Sequence, residues 1–80
     1  MTEIFLDCDG LRCPLPVLRA RKRLQDMAPG SILAVAASDP MAAIDLPHFC
    51  REAGHDFLSA QEAGPVTIYR IRRGGSSAPE

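Results

Sequence analysis

The sequence predicts an open two-layer α/β sandwich, four strands with two helices on one face. Three observations predict it. The apolar segments run strand, helix, strand, helix, strand, strand. Each helical segment carries a single apolar stripe, so each needs one covering surface. The chain has 80 residues, enough for one domain that buries only roughly 60% of the surface its unfolded form exposes. One sheet covered by one helical layer satisfies all three.

Ile4 to Cys8 reads as the first strand, short and apolar, closed by the turn pair Asp9-Gly10. Pro14 to Ala28 reads as the first helix. Pro14 suits the first helical position, where its missing N–H has no intrahelical partner to lose. Pro16 lies in the same turn and is tolerated for the same reason. Val17, Ala20, Leu24 and Met27 recur at spacings of three and four, and Leu18 widens the stripe. Arg19, Lys22, Arg23 and Asp26 face away. Pro29-Gly30 stops the helix.

Ser31 to Ser38 is an apolar run with little alternation, which places it centrally in the sheet. Asp39-Pro40 opens the second helix, an acid at the N-cap followed by proline at the first position. Ala42, Leu46, Phe49, Cys50 and Ala53 form its inner stripe, Pro47 is expected to kink or split it, and Gly54 ends it. Asp56 to Glu62 and Val66 to Arg72 are strands joined across Ala63-Gly64-Pro65 as an antiparallel hairpin. In the last strand Tyr69 and Ile71 are assigned to the core, because the other choice turns Arg70 and Arg72 inward. Residues 1–73 form the domain, and residues 74–80, rich in Gly, Ser and Pro, read as a flexible C-terminal tail.

Net charge is −1, unevenly spread. Arg19, Arg21, Lys22 and Arg23 crowd one segment with Arg12 upstream, and Arg70, Arg72 and Arg73 crowd another. The three cysteines are an odd number, and the first residues, Met-Thr-Glu-Ile-Phe-Leu-Asp, do not read as a secretory signal. The longest apolar run, Ile32 to Ala37, is far too short to span a bilayer. A cytoplasmic protein with reduced thiols is expected. Zinc is not, because no Cys-x-x-Cys spacing exists. No cofactor is implied.

Cys13 stands between Arg12 and Pro14, at the start of the first helix. Unpaired N–H groups and the dipole at a helix N-terminus favour thiolate over thiol, and Arg12 adds a positive charge. A lowered pKa and a nucleophilic role are therefore expected, with Pro14 and Pro16 stiffening the support. Hydrolysis needs a base and an oxyanion site as well. His48 and His55 are distant in sequence and read as surface or edge residues, and no pocket is expected in so thin a domain. A thiol without base or pocket suits group transfer by thiol exchange. Cys8 reads as a strand side chain, though a turn away from Cys13, and Cys50 as inert core.

These residues carry a family resemblance. "LDCDGLRCPLPVLRARKRL", residues 6–24, resembles the Leu-Asp-x-x-Gly-Leu-x-Cys-Pro-x-Pro signature of the TusA (SirA-like) sulfurtransferases. "SDPMAAIDLPHFCREAGHDFL", residues 38–58, is similar to the family's second block, and "YRIRR" to its final strand. The three blocks fall in order across residues 4–73. The resemblance implies a four-stranded mixed sheet with two helices, similar to the C-terminal domain of translation initiation factor 3. It implies a sulfur carrier whose Cys13 accepts a sulfane sulfur as a persulfide. The implied donor is a cysteine desulfurase or a rhodanese-like protein, and a downstream protein accepts the sulfur for tRNA thiolation, sulfur oxidation or cofactor biosynthesis. Leu46 and Met41 depart slightly from the family pattern.

In the carrier reading Arg19, Lys22 and Arg23 dock an acidic partner. The competing reading is a non-catalytic regulatory or adaptor domain, binding protein or RNA through the basic helix face and the Arg70–Arg73 strip. Direct nucleic-acid binding is not expected, since the three Phe and one Tyr all fall in strands or core stripes. A monomer is expected.

Overall fold

The structure, a computed structural model, describes residues 3–75. Its elements are β1 (Glu3–Cys8), α1 (Leu15–Gln25), β2 (Ile32–Ala37), α2 (Ala42–Ala53), β3 (Asp56–Ala63) and β4 (Val66–Arg72). The order is the predicted one. The strands form one sheet, β1-β2-β4-β3, with β1 parallel to β2 and β4 antiparallel to both of its neighbours. It is a mixed sheet. Of the tail assigned to residues 74–80, only Gly74 and Gly75 are among the described residues. Among the described residues no helix is long and apolar enough to cross a membrane.

Parity in the register fixes which side of each strand meets the helices. Cys8 pairs with Ala37, Leu33 with Ile71 and Val35 with Tyr69, and all six belong to the core beneath α1 and α2. From α1 come Ala20 and Leu24, from α2 Ala42, Leu46 and Cys50, and Met27 follows α1 into the same cluster. Leu24, Leu33, Leu46 and Ile71 are fully buried, each contributing about 1.5–3 kcal/mol of transfer free energy. Tyr69 and Ile71 face inward, as the cost of burying Arg70 and Arg72 requires.

The open face of the sheet carries those arginines, and their partners come from other strands. Arg70 donates to Glu3 on β1 at 3.3 Å and to Gln61 on β3 at 3.2 Å. Ala34 lies between Phe5 and Arg70 in the register, and its small side chain leaves the arginine room to cross β2. Arg72 donates to Asp56 at 2.9 Å. Arg73 turns to the helical side and donates to the Leu24 carbonyl at 2.8 Å near the end of α1, an oxygen that also accepts the Met27 N–H at 3.1 Å. The basic strip of the last strand is thus engaged within the fold.

Several local expectations shift. Regular α1 starts at Leu15 with Pro14 as its cap, and it ends at Gln25. Leu18 is half exposed and does not widen the inner stripe. At the start of α2, Ala42, Ala43 and Ile44 each donate three residues back, and the first four-residue bond runs from Asp45 to Met41. The turn that Asp39-Pro40 opens is therefore a tight lead-in, and the regular helix begins at Ala42. Pro47 does not split α2, which runs unbroken to Ala53. Gly54 takes the left-handed conformation, φ 82°, that closes this helix.

Candidate functional site

Parallel pairing of β1 with β2 brings their carboxyl ends, and the loops that follow, to the same edge of the sheet. Both helices start there. The two loops are stitched together: Gly10 N–H donates to Ser38 Oγ at 2.9 Å, and Cys13 N–H to Asp39 Oδ2 at 2.6 Å. Asp39 spends its other oxygen on the Met41 N–H at 3.0 Å. Its carboxyl is held below the usual carboxylate range by the two backbone donors, with a smaller contribution from Arg12. Asp39 thus fixes the Cys13 backbone and the start of α2 at once. The crevice beyond the carboxyl ends of the strands is where open α/β sheets place their ligands.

Cys13 is exposed, and its thiol donates to Asp45 Oδ2 at 2.9 Å. Asp45 sits in the first turn of α2. This contact reverses the expected electrostatics. The Asp45 hydrogen bond raises the thiol pKa above its ordinary value, with desolvation and the charges of Asp45 and Asp39 acting in the same direction. The helix tip has fewer N–H groups than usual with which to counter them, and the reason lies in the prolines. Pro14 and Pro16 have no N–H to offer, and the Leu15 N–H is taken by the Arg12 carbonyl at 2.8 Å. The charge of Arg12 acts on Asp39. Cys13 rests as a hydrogen-bonded thiol, not as the thiolate its position in the chain suggests. The Cys13–Pro14 peptide bond is cis.

Nor is the domain too thin for a pocket. A groove of about 890 Å³ runs between α1 and α2. Cys13, Pro14 and Asp45 lie at one end, Val17, Leu24 and Phe49 line its apolar walls, and His55 and Arg73 lie towards the other. Arg21, His48 and Glu52 also line it, the last two 3.8 Å apart. His55 Nδ1 accepts the Gly74 N–H at 2.9 Å, and burial followed by the nearby Arg73 charge lowers its pKa. Both histidines read as distant in the sequence therefore share the thiol's groove.

Arg19, Lys22 and Arg23 meet elsewhere. With Leu6, Leu15, Leu18 and Asp26 they line a shallow depression on the β1 side of α1. Of the basic helix residues it is Arg21 that faces the thiol's groove. The other two thiols are buried. Cys8 packs at 0% exposure and Cys50 at 1%, and burial is the main cause raising both pKa values, that of Cys50 to about 11. Burial keeps Cys8 from meeting the Cys13 sulfur, although only a turn separates the two in sequence. Sequence reading takes Asp45, like Asp39, mainly as a cap or helix acid, although matching acids in the family it resembles sit near the thiol. Its signal within the chain is that a carboxylate one turn into α2 follows a loop that must lie beside the Cys13 loop.

The arrangement offers one accessible sulfur, a carboxylate in contact with it, and an open approach. The chain from residue 4 to residue 73 matches the family model described as sulfurtransferase TusA. It is 39% identical over 71 residues to the sulfur carrier protein TusA of Pseudomonas paraeruginosa strain PA7, covering 89% of this chain and 90% of that one. The same figures hold for the sulfur carrier protein TusA of Pseudomonas aeruginosa strain LESB58. Among solved structures, a SirA-like protein from Desulfitobacterium hafniense superposes with a TM-score of 0.73 at 26% identity, over 89% of this chain and 97% of that one. The match over nearly the whole chain, together with relatives at this identity, shows that the chain belongs to the TusA family.

Proposed function

We propose that this protein is a cytoplasmic sulfur carrier that holds a sulfane sulfur as a persulfide on Cys13. The observation that carries the reading is the contrast among its thiols: Cys13 alone is exposed, at the carboxyl edge of the sheet, in a family whose named members carry sulfur. The step is an exchange with no net redox change. A bond forms between Cys13 Sγ and the terminal sulfur of a donor persulfide, R–S–SH. The S–S bond inside the donor breaks, and R–S⁻ leaves and takes up one proton while Cys13 loses one. Hand-off to an acceptor is the same exchange with Cys13 as the leaving sulfur.

The donor in this reading is a cysteine desulfurase or a rhodanese-like protein, and the acceptor a further protein. Arg12, Pro14 and Pro16 frame the thiol, and Arg19, Lys22 and Arg23 are the residues proposed to meet an acidic partner. The adaptor alternative loses support, because Arg70 and Arg72 are paired with Glu3 and Asp56.

The test is intact mass after incubation with a cysteine desulfurase and cysteine, repeated with a persulfidated rhodanese. One added sulfur atom is expected on the protein and none on Cys13→Ser. No adduct from either donor, or an adduct that survives the substitution, overturns the reading.

A further inference from the structure

A carrier faces conflicting demands on its sulfur. As the attacking group a high-pKa thiol is the stronger nucleophile once ionised, but at neutral pH it is rarely ionised and needs a base to take its proton. As the leaving group it suffers from the same property, since high-pKa thiols leave slowly. The contact between Cys13 Sγ and Asp45 Oδ2 at 2.9 Å addresses both. We infer that Asp45 is the proton-transfer residue of the relay, moving the proton from Cys13 to the departing donor sulfur as sulfur is loaded and from the acceptor thiol to Cys13 as sulfur is handed on. The inference rests on the carrier reading above and adds to it a residue and a direction of proton flow.

The geometry supports it on three counts. The donor–acceptor distance is that of a direct hydrogen bond, within the reach a general base needs. Cys13 comes from the loop before α1 and Asp45 from the first turn of α2, and the Cys13 N–H to Asp39 bond ties that loop to the start of α2, so the approach is built and does not depend on a long side chain finding its partner. And Asp45 makes no ion pair among the described residues, so its carboxylate is not neutralised by a lysine or arginine. The charged and titratable groups around the thiol are Asp39 from the loop before α2, Arg12 from its own loop, Arg21 from α1, and His48 and Glu52 from α2. Of these, Asp39 is committed to two backbone donors. Only Asp45 touches the sulfur.

The step balances as follows. In loading, Cys13–SH donates its proton to the Asp45 carboxylate while Sγ bonds to the terminal sulfur of R–S–SH. The departing R–S⁻ collects a proton from Asp45, which returns to its charged form. In unloading, an acceptor thiol passes its proton to the Asp45 carboxylate as its sulfur takes the outer sulfur of Cys13–S–SH, and the departing Cys13 sulfur collects that proton. No oxidant or reductant is consumed.

Asp45→Asn separates this role from a merely electrostatic one, because the two make opposite predictions. The substitution removes the negative charge that keeps Cys13 protonated, so alkylation of Cys13 by iodoacetamide at pH 7 is expected to quicken. Single-turnover loading from a pre-persulfidated cysteine desulfurase is expected to slow by at least about tenfold, the lower range for a lost acid–base group being 10². The loss falls on the rate constant at saturating donor, and it narrows as pH rises and solvent can take the proton. Faster alkylation with unchanged or faster loading overturns the inference and leaves the carrier reading intact. So does a loss seen only as a higher half-saturating donor concentration, which marks Asp45 as a docking contact. A fall in both rates also overturns it, as displacement of the loop. A wild-type protein that alkylates on Cys13 but never accepts sulfur defeats the carrier reading itself.

Discussion

Cys13 and Cys50 both have thiol pKa values above the ordinary one, for opposite reasons. Cys50 lies on the inner stripe of α2 at 1% exposure, where burial penalises the charged form and pushes it up to about 11. Cys13 is open to solvent and is raised chiefly by one hydrogen bond, to Asp45. A high pKa from burial means a sulfur without access or proton acceptor. A high pKa from a carboxylate contact means a basic sulfur with its proton acceptor already in place. The direction of the shift is the same in the two places, and only its cause separates an inert thiol from a poised one.

The largest effect that tests this contrast is kinetic. In the native protein iodoacetamide reaches Cys13 directly, whereas Cys8 and Cys50 must wait for the core to open. Opening a core costs a sizeable part of a global stability of about 5–15 kcal/mol, so modification of the buried pair is expected to lag by at least about 10³-fold. Peptide mapping of timed alkylation reads this directly. Comparable labelling of Cys50 and Cys13 breaks the contrast at its root.

Next in size is the response to an oxygen in place of each sulfur. Cys50→Ser buries a hydroxyl among Leu46 and its core neighbours, where the helix carbonyls a turn back are the acceptors in reach, at an expected cost of about 1–3 kcal/mol. Cys13→Ser keeps a donor beside Asp45 in solvent and is expected within about 0.5 kcal/mol of wild type. Urea midpoints at neutral pH compare the two. A Cys13→Ser loss as large as that of Cys50→Ser makes Cys13 a structural residue.

The same contrast explains what the chain disclosed before folding. Cys50 was readable as core because its spacing from Leu46 and Ala53 is helical and its neighbours are apolar. The face of β4 was readable because one register buries arginine and the other does not. The order of elements and the position of Cys13 before two prolines were readable for similar reasons: each rests on local period or on local turn chemistry. What stayed hidden depends on distant pairing. Asp45 lies 32 positions from Cys13 and reaches it only because β1 and β2 end side by side. Glu3, Gln61 and Asp56 engage Arg70 and Arg72 through the sheet register, so the strip looked free along the chain. The thiol was read as acidified because a helix start usually supplies N–H groups, and here the prolines that mark the start are also the residues that lack them.

The smallest effect sharpens the comparison on the alkaline side. A thiol whose folded pKa exceeds its unfolded value of 9.0 contributes stability that is fully present below pH 9. Above that the unfolded chain releases the proton first, so it binds fewer protons than the native state and stability falls with rising pH. The Cys50 thiol adds a slope of at most about 1.4 kcal/mol per pH unit, lost through its folded pKa of about 11, and the solvent-exposed Cys13 adds a smaller slope of the same sign. Urea midpoints measured from pH 8 to 11 are therefore expected to decline in wild type. Cys50→Ala removes its share by deleting a buried thiol, and Asp45→Asn removes the share of Cys13 by deleting the contact that raises it. Because the causes are independent and the sites share no partner, the two flattenings are expected to add in the double variant. Asp45→Asn and Cys13→Ser act on one contact and are expected not to add. If Asp45→Asn leaves the alkaline slope untouched, the carboxylate is not what holds the Cys13 proton, and the distinction between the two thiols reduces to exposure alone.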